Sequence, residues 1–428
     1  MNLKLVGTTI TMIVAGVVSA SAFADQGQSS QAQMDAMRAQ ISQMQAAIDA
    51  NNPGTGLASD GWQNRVRFSG LANIDLMGST KYAPTDFATK DPSYLGISSA
   101  ALFMDANVSD WTKAHLGILY ADSNQSTFNV TTPGTHANTV FNNSRSLNLD
   151  EAYVTIGNFA KSPLFLKAGV QYLPFGSYNP YDNITPSTTQ VLSEVNAPAA
   201  VVGLVANNGF NVSAYALDGT SKANSNNPNG GTRNTVGNYG ANIAYTGAYN
   251  NVGIKAGLGY INNLADTDLV ANIIQVGIND GYTTSVGGVA ANLGLQSNAF
   301  DVSGKWVEAV KKFNPEDMIN YNGQGARPST WGAEAGYSFP VRAHDSRFSV
   351  GYQGSVQAQG AYQGGYQFPT DMPRSRYLVD YKVNVSKYTD LGFELRRDRS
   401  YAASTNTAYT STTDKQTYTG AARIAVKF

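Results

Sequence analysis

After residue 60 the chain alternates apolar and polar positions with a period of two. The clearest stretch is the last, where Tyr418, Gly420, Ala422, Ile424, Val426 and Phe428 share one face. Thr419, Ala421, Arg423, Ala425 and Lys427 share the other. An apolar row backed by a polar row suits a strand between hydrocarbon and a wet interior, where only every second side chain meets lipid. The same rhythm sets Val66, Phe68, Gly70, Ala72, Ile74 and Leu76 outward, then Leu102, Met104, Ala106 and Val108. It recurs in Leu164, Leu166, Ala168, Val170 and Tyr172, in Trp331, Ala333, Ala335 and Tyr337, and in Tyr377, Val379, Tyr381, Val383 and Val385. Counting such rows predicts an all-β chain, a transmembrane antiparallel β-barrel of about 16 strands. One hairpin more or fewer is left open.

The connections support this count. Gaps alternate between a few residues and roughly ten to twenty-five, as the two ends of a membrane barrel require. With both termini placed in the periplasm, every long gap falls on the extracellular side.

The first part of the chain has another pattern. Residues 1–24 read as a signal peptide: Lys4, an apolar stretch over 5–18, and Ala22-Phe23-Ala24 before Asp25. Residues 25–60 are expected to be a periplasmic helical or coiled-coil segment and linker. Met34, Met37, Ile41, Met44 and Ile48 make an a/d seam there, closed by Asn51-Asn52-Pro53-Gly54. Three readings stay open for this segment: a helix on the barrel rim, a bundle joining protomers as a homotrimer, or disorder. Residues 61–428 are the expected barrel. The short N-terminal segment has no room for a globular plug, and plugged transporters need about 22 strands. Facilitated diffusion is therefore the expected mode of passage.

Composition agrees with this picture. Mean hydropathy is −0.25, the low value that alternation produces. Gly 42, Tyr 24 and Phe 17 fit glycine-tolerant strands with aromatic girdles, and Cys 0 excludes disulfides and thiolate metal sites. A net charge of −1 gives no support to nucleic-acid binding.

The polar faces carry the candidate chemistry. Arg65, Arg67, Lys113, His115, Lys167, Lys255, Lys305, Arg376, Lys382, Arg396, Arg423 and Lys427 are expected to point inward as pore-lining, solute-contacting residues. Inward acids are fewer: Asp75, Asp105, Glu151, Asp301, Glu334, Asp380 and Glu394. A basic bias in a low-dielectric wall concentrates small anions, although any wet barrel carries charge and pairing would cancel part of the field. The third long loop, running from Leu173 to Pro198, is rich in proline and aromatics. It is expected either to fold inward, with Phe175, Tyr178, Tyr181 and Asp182 near a constriction, or to form a lid on the rim. Two other loops, 223–234 and 354–367, read as mobile and polar. Catalysis finds no support: of the histidines His115, His136 and His344, only His115 is expected to face inward. No neighbouring nucleophile or metal-ligand spacing is legible, and no cofactor is expected.

One stretch carries a family likeness. Leu149-Asp150-Glu151-Ala152-Tyr153-Val154-Thr155-Ile156-Gly157-Asn158, then Lys161-Ser162-Pro163, then Gly169-Val170-Gln171-Tyr172-Leu173-Pro174-Phe175-Gly176-Ser177-Tyr178 resembles the LbtU-type siderophore porins of Legionella and related gammaproteobacteria. Arg376-Tyr377, Val383-Asn384-Val385 and Gly392-Phe393-Glu394 are similar to that family's penultimate hairpin. The resemblance implies outer-membrane passage of a ferric siderophore, a polycarboxylate anion, and transfers no binding residues to positions here. The expected partners are then outer-membrane lipid and lipopolysaccharide together with a small anionic solute or ferric siderophore. Two alternatives stay open: a general or dicarboxylate-type porin, and a closed adhesin or receptor barrel.

Overall fold

The computed structural model describes residues 65–80, 93–122, 145–177, 184–219, 236–271, 282–318, 324–358, 360–363, 366–369, 372–401 and 416–428. The expected signal peptide (1–24), the helical segment and linker (25–60), His136 and the 223–234 loop lie outside the described residues.

Sixteen strands close into one antiparallel barrel. In chain order they are β1 (Val66–Ser79), β2 (Ser93–Asn107), β3 (Thr112–Asp122), β4 (Arg145–Gly157), β5 (Leu164–Tyr172), β6 (Asn196–Val205), β7 (Phe210–Asp218) and β8 (Val236–Tyr249). The rest are β9 (Val252–Ile261), β10 (Gly288–Ser297), β11 (Phe300–Ala309), β12 (Ser329–Val341), β13 (His344–Val356), β16 (Ser375–Ser386), β17 (Thr389–Arg399) and β18 (Gln416–Lys427). The short β14 (Gly360–Gln363) and β15 (Tyr366–Pro369) pair only with each other. The 354–367 stretch, expected to be a mobile loop, thus contributes the end of β13, all of β14 and part of β15. Its alternating Gln, Gly and Tyr suit a two-stranded ribbon.

Neighbouring strands pair all the way round, and β1 meets β18 with Ile74 opposite Ile424 and Asp75 opposite Arg423. The faces sort by polarity as alternation requires. Leu95, Leu147 and Leu395 are 72%, 71% and 66% exposed on the outside, whereas Asn73 and Asp75 inside are 1% and 0% exposed. This inverts a water-soluble fold, and it is the arrangement that hydrocarbon around a polar interior would select. Aromatic ladders run along the outer face near the short-turn end, where Phe300, Tyr337, Phe339, Tyr381 and Phe393 form a row of neighbouring rings.

Of the register shifts in the barrel, the bulges on β2 and β4 let the chain change parity without turning polar groups outward. Opposite Asn73 and Ile74, β2 offers Ser99 and Ile97, leaving Ser98 as the extra residue. Opposite Gly117 and Ile118, β4 offers Glu151 and Leu149, leaving Asp150. Leu147 and Leu149 before the second bulge and Val154 and Ile156 after it therefore all stay outside, although their parity differs. Short turns join the hairpins at one end. Asn250 and Asn251 both take positive φ, 45° and 65°, as a two-residue turn between twisted strands demands.

The interior is not evenly hollow. Phe175, Leu192 and Val195 from the third long connection pack with Leu264, Leu269, Val270 and Val286 from the β9–β10 connection. Val201, Tyr215, Leu217, Ile261, Ala290 and Val307 of the wall join them, as do Phe313, Met318 and Ala326. The wall residues of this apolar core come from β5–β7 and β9–β11, towards the long connections. The remaining space is displaced to the other side.

Candidate functional site: the barrel interior beneath the third long connection

The residues that narrow the interior come from the β5–β6 connection. Leu173 turns back through a hydrogen bond from its N–H to Val195 O at 2.9 Å. Gly176 follows at φ +85°, where a Cβ would run into Ser193, so only glycine fits this inward bend. Ser187 then caps a one-and-a-half-turn helix, α1 (Thr188–Ser193), accepting from the Gln190 N–H at 3.1 Å. Ser187-x-x-Gln190 is the capping-box spacing.

The loop crosses the interior and is fastened to the opposite wall. Thr185 donates its hydroxyl to Glu394 Oε1 at 2.5 Å and its N–H to Glu394 Oε2 at 3.2 Å. Arg396 Nη1 donates to Thr185 Oγ1 at 2.7 Å, and Arg376 Nη1 donates to Pro186 O at 3.1 Å. Asp398 holds both arginines, 2.7 Å from Arg376 Nε and 3.1 Å from Arg396 Nε. A fourth tie runs from the Thr188 N–H to Gln353 Oε1 at 2.9 Å. These residues come from β13, β16 and β17, far around the wall from β5 and β6 where the loop starts. The described part of the connection, Thr185 to Thr188, is thus held against the inner face of the wall.

Beneath the loop lies a cavity of about 210 Å³. Thr185, Ser187 and Thr189 line its roof, and Lys305, Glu334, Arg347, Asp380, Lys382, Glu394 and Arg423 line its wall. The arginines are committed to partners. Arg347 reaches Asp301 at 2.5 Å and Glu334 at 2.6 Å, and Arg423 makes two 2.7 Å bonds to Asp75 across the barrel seam. Lys382 and Lys427 share Asp390 at 3.1 and 3.4 Å. By contrast, the ammonium groups of Lys255 and Lys305 make no ion pair or hydrogen bond among the described residues.

A second cluster sits on β2–β5. His115 Nδ1 lies 2.7 Å from Asp105 Oδ1, and Nε2 lies 3.7 Å from Glu151 Oε2. The imidazole stacks on Tyr153 at 4.8 Å, and Lys167 Nζ sits 3.5 Å above the same ring. Lys113 stands nearby on β3. Nothing here makes a nucleophile–base pair, and among the described residues no group of three His, Asp or Glu could hold a metal ion.

The other expected site residues are placed as follows. Arg65 and Arg67 are exposed at the short-turn mouth. Arg376, Arg396 and Arg423 are buried. Phe175 is fully buried in the apolar core, where it supports the constricting loop from behind. Tyr178, Tyr181 and Asp182 lie outside the described residues. The expectations did not include Asp398, Asp390, Thr185, Ser187 and Thr189, although the capping spacing at Ser187 was a usable signal for the helix.

Buried acids reinforce the loop's root. The Asp268 N–H donates to Glu194 O at 3.0 Å, Gln190 Nε2 donates to Glu194 Oε2 at 2.6 Å, and Asn196 Nδ2 donates to Asp150 O at 2.8 Å. Burial pushes the Asp268 carboxyl up to about 7, with a hydrogen bond to Glu194 pulling it back and the nearby Asp150 adding to the rise.

Comparison with known proteins follows the fold. No protein-family model matches the chain. It is 29% identical over 304 residues to a UPF0422 protein of Legionella pneumophila strain Paris, covering 67% of this chain and 53% of that one. It is 26% identical over 341 residues to the UPF0422 protein of Coxiella burnetii, covering 79% and 65%. The chain thus spans about half to two thirds of the length of the curated relatives it matches. Among solved structures, an anion-selective porin from Comamonas acidovorans superposes with a TM-score of 0.53 at 12% identity, covering 85% of this chain and 99% of that one. The outer membrane channel DcaP of Acinetobacter baumannii gives 0.51 at 14%, covering 85% and 97%. Pseudomonas putida OprB gives 0.54 at 12%, covering 85% and 94%. At such identities the likeness is one of fold: the chain is a closed 16-strand barrel of the porin type.

Proposed function

We propose that this protein is an outer-membrane channel of a Gram-negative bacterium that passes small solutes by facilitated diffusion, with both termini in the periplasm and the third long loop as its constriction. One observation carries the reading: a loop tied across the interior by Thr185 narrows a wet, charged barrel without filling it. A closed receptor barrel would have no need of such a strut.

The finer reading is that the solute is anionic, and the resemblance to siderophore porins makes a ferric siderophore the leading instance. Lys255 and Lys305 support it, because positive charge that makes no ion pair among the described residues acts on whatever enters, Glu334 offsetting part of it at Lys305. The pairing of the arginines favours the second reading, a general porin with no iron role and only weak charge preference.

Purified protein in a planar bilayer decides between channel and closed barrel, and absence of conductance ends both transport readings. Reversal potentials in a salt gradient are expected to show anion over cation permeability. Uptake of labelled ferric siderophore is expected to fall in a deletion strain; unchanged uptake removes the iron role and leaves the channel standing.

A further inference from the structure

The outer wall carries arginines where alternation calls for apolar side chains. On β17, Phe393 and Leu395 point outward, and the next two outward positions are Arg397 and Arg399, both exposed. The intervening Arg396 and Asp398 are buried inside. In register, Arg397 lies between Tyr377 of β16 and Tyr418 of β18. Its guanidinium is 6.0 Å from one ring centroid and 5.9 Å from the other, and both rings are about half exposed (53% and 52%).

This arrangement is half of a binding site. The rings steady the guanidinium by cation–π attraction, and the Arg397 side chain remains exposed beside them. Among the described residues the Arg397 side chain has no carboxylate or hydrogen-bond acceptor. Asp398, its neighbour in sequence, faces the interior and is taken by Arg376 and Arg396. The position is also informative. On these three strands the outer row starts at Val385, Leu391 and Phe428; its last aliphatic on β17 is Leu395, and its last members on β16 and β18 are Tyr377 and Tyr418, level with Arg397. Arg397 and Arg399 therefore stand where hydrocarbon gives way to headgroups, at the rim of the long connections.

We propose that Arg397, framed by Tyr377 and Tyr418 and with Arg399 at the next outward position, docks the phosphate of a glycolipid in the outer leaflet. The proposal rests on the reading of this barrel as membrane-spanning with its long connections outside. A planar fork of N–H donors matches phosphate oxygens in pairs. A lipid-borne phosphate fits better than a soluble one, because Leu395 and Phe393 continue directly below as a wall for acyl chains.

Native mass spectrometry of the full-length folded barrel tests this, with bis-phosphorylated lipid A, dephosphorylated lipid A, phosphatidylglycerol and inorganic phosphate as probes. Wild type is expected to retain bis-phosphorylated lipid A and to lose it about tenfold more readily as R397Q/R399Q. It should hold dephosphorylated lipid A as poorly as the variant does. Lys387→Gln, at the opposite rim, is expected to change nothing. If the double variant fails to fold, Arg397→Lys replaces it; that change keeps the charge but removes the fork, and retention should still fall. Equal retention by wild type and variants overturns the proposal, as does equal or better retention of phosphatidylglycerol, equal retention of dephosphorylated lipid A, or capture of inorganic phosphate alone. Release of a second copy of the chain by R397Q, with lipid unchanged, overturns it too. Single-channel conductance of R397Q/R399Q is expected to match wild type. If wild type does not conduct, the channel reading fails on its own, whatever the lipid result.

Discussion

At the residue scale, what matters is which charges are bound to one another. Arg423 shows the consequence: alternation places it inside, and the fold uses it to lock the seam where β18 meets β1. Asp75, fully buried opposite it, has its carboxylate held by two 2.7 Å bonds from that guanidinium. Removing one partner strands the other, so Arg423→Met is expected to cost about 3–5 kcal/mol of stability. Urea unfolding in lipid vesicles measures it. The double change Asp75→Leu with Arg423→Met should recover most of that loss, and failure to recover would mean that the pair is not the unit. Asp268 offers a pH test. Its folded pKa, about 7, lies above the ordinary carboxyl value of 3.8, so the native state holds the proton more tightly than the unfolded chain does. That contribution is fully present below about pH 4 and is lost as pH rises through about 7. Thermal unfolding of wild type should therefore weaken over that window, and Asp268→Asn should flatten the dependence; an unchanged slope would locate the proton elsewhere.

At the element scale, the constricting loop is a strut with two supports. One is apolar, Phe175 and Leu192 in the interior core; the other is polar, Thr185 held between Glu394 and Arg396. Cutting only the polar support should free the tip and leave its root packed. Glu394→Gln with Thr185→Val is thus expected to raise single-channel conductance and its noise while the melting temperature moves little; unaltered conductance would show that the tip does not limit flow. Much of this element was legible from its aromatics and prolines, which set it apart from Gly/Ser/Asn loops. Its anchors were not. Thr185 and Glu394 lie 209 residues apart, and only barrel closure brings them together. The strands themselves were legible because lipid-facing rows repeat at a fixed period. The β14–β15 ribbon and Asp150 were missed because local rules were broken: the first lies in a Gly/Gln-rich stretch, and the second is a bulge that resets the parity.

At the scale of the whole molecule, inward cations outnumbered inward acids in the sequence, but a count of charges is not a field. Arg347, Arg376, Arg396 and Arg423 sit beside carboxylates and contribute mainly dipoles. Lys255 and Lys305 keep net charge facing the interior, with Lys167 above its aromatic ring. A charge on the wall acts on a passing ion only over a distance set by salt. The screening length is about 10 Å at 0.1 M and about 3 Å at 1 M. At low salt the lysine fields therefore extend across much of a narrowed path, and at high salt they collapse onto the wall. Anion preference is expected to be clear in a gradient around 0.1 M and nearly gone around 1 M. Lys255→Gln with Lys305→Gln should remove most of it at low salt without altering conductance at high salt. Neutralising Arg347, already spent on Asp301 and Glu334, should shift selectivity less than either lysine does. A preference that survives 1 M salt would point to direct coordination of the solute in the cavity below Thr185, Ser187 and Thr189, and not to the long-range field.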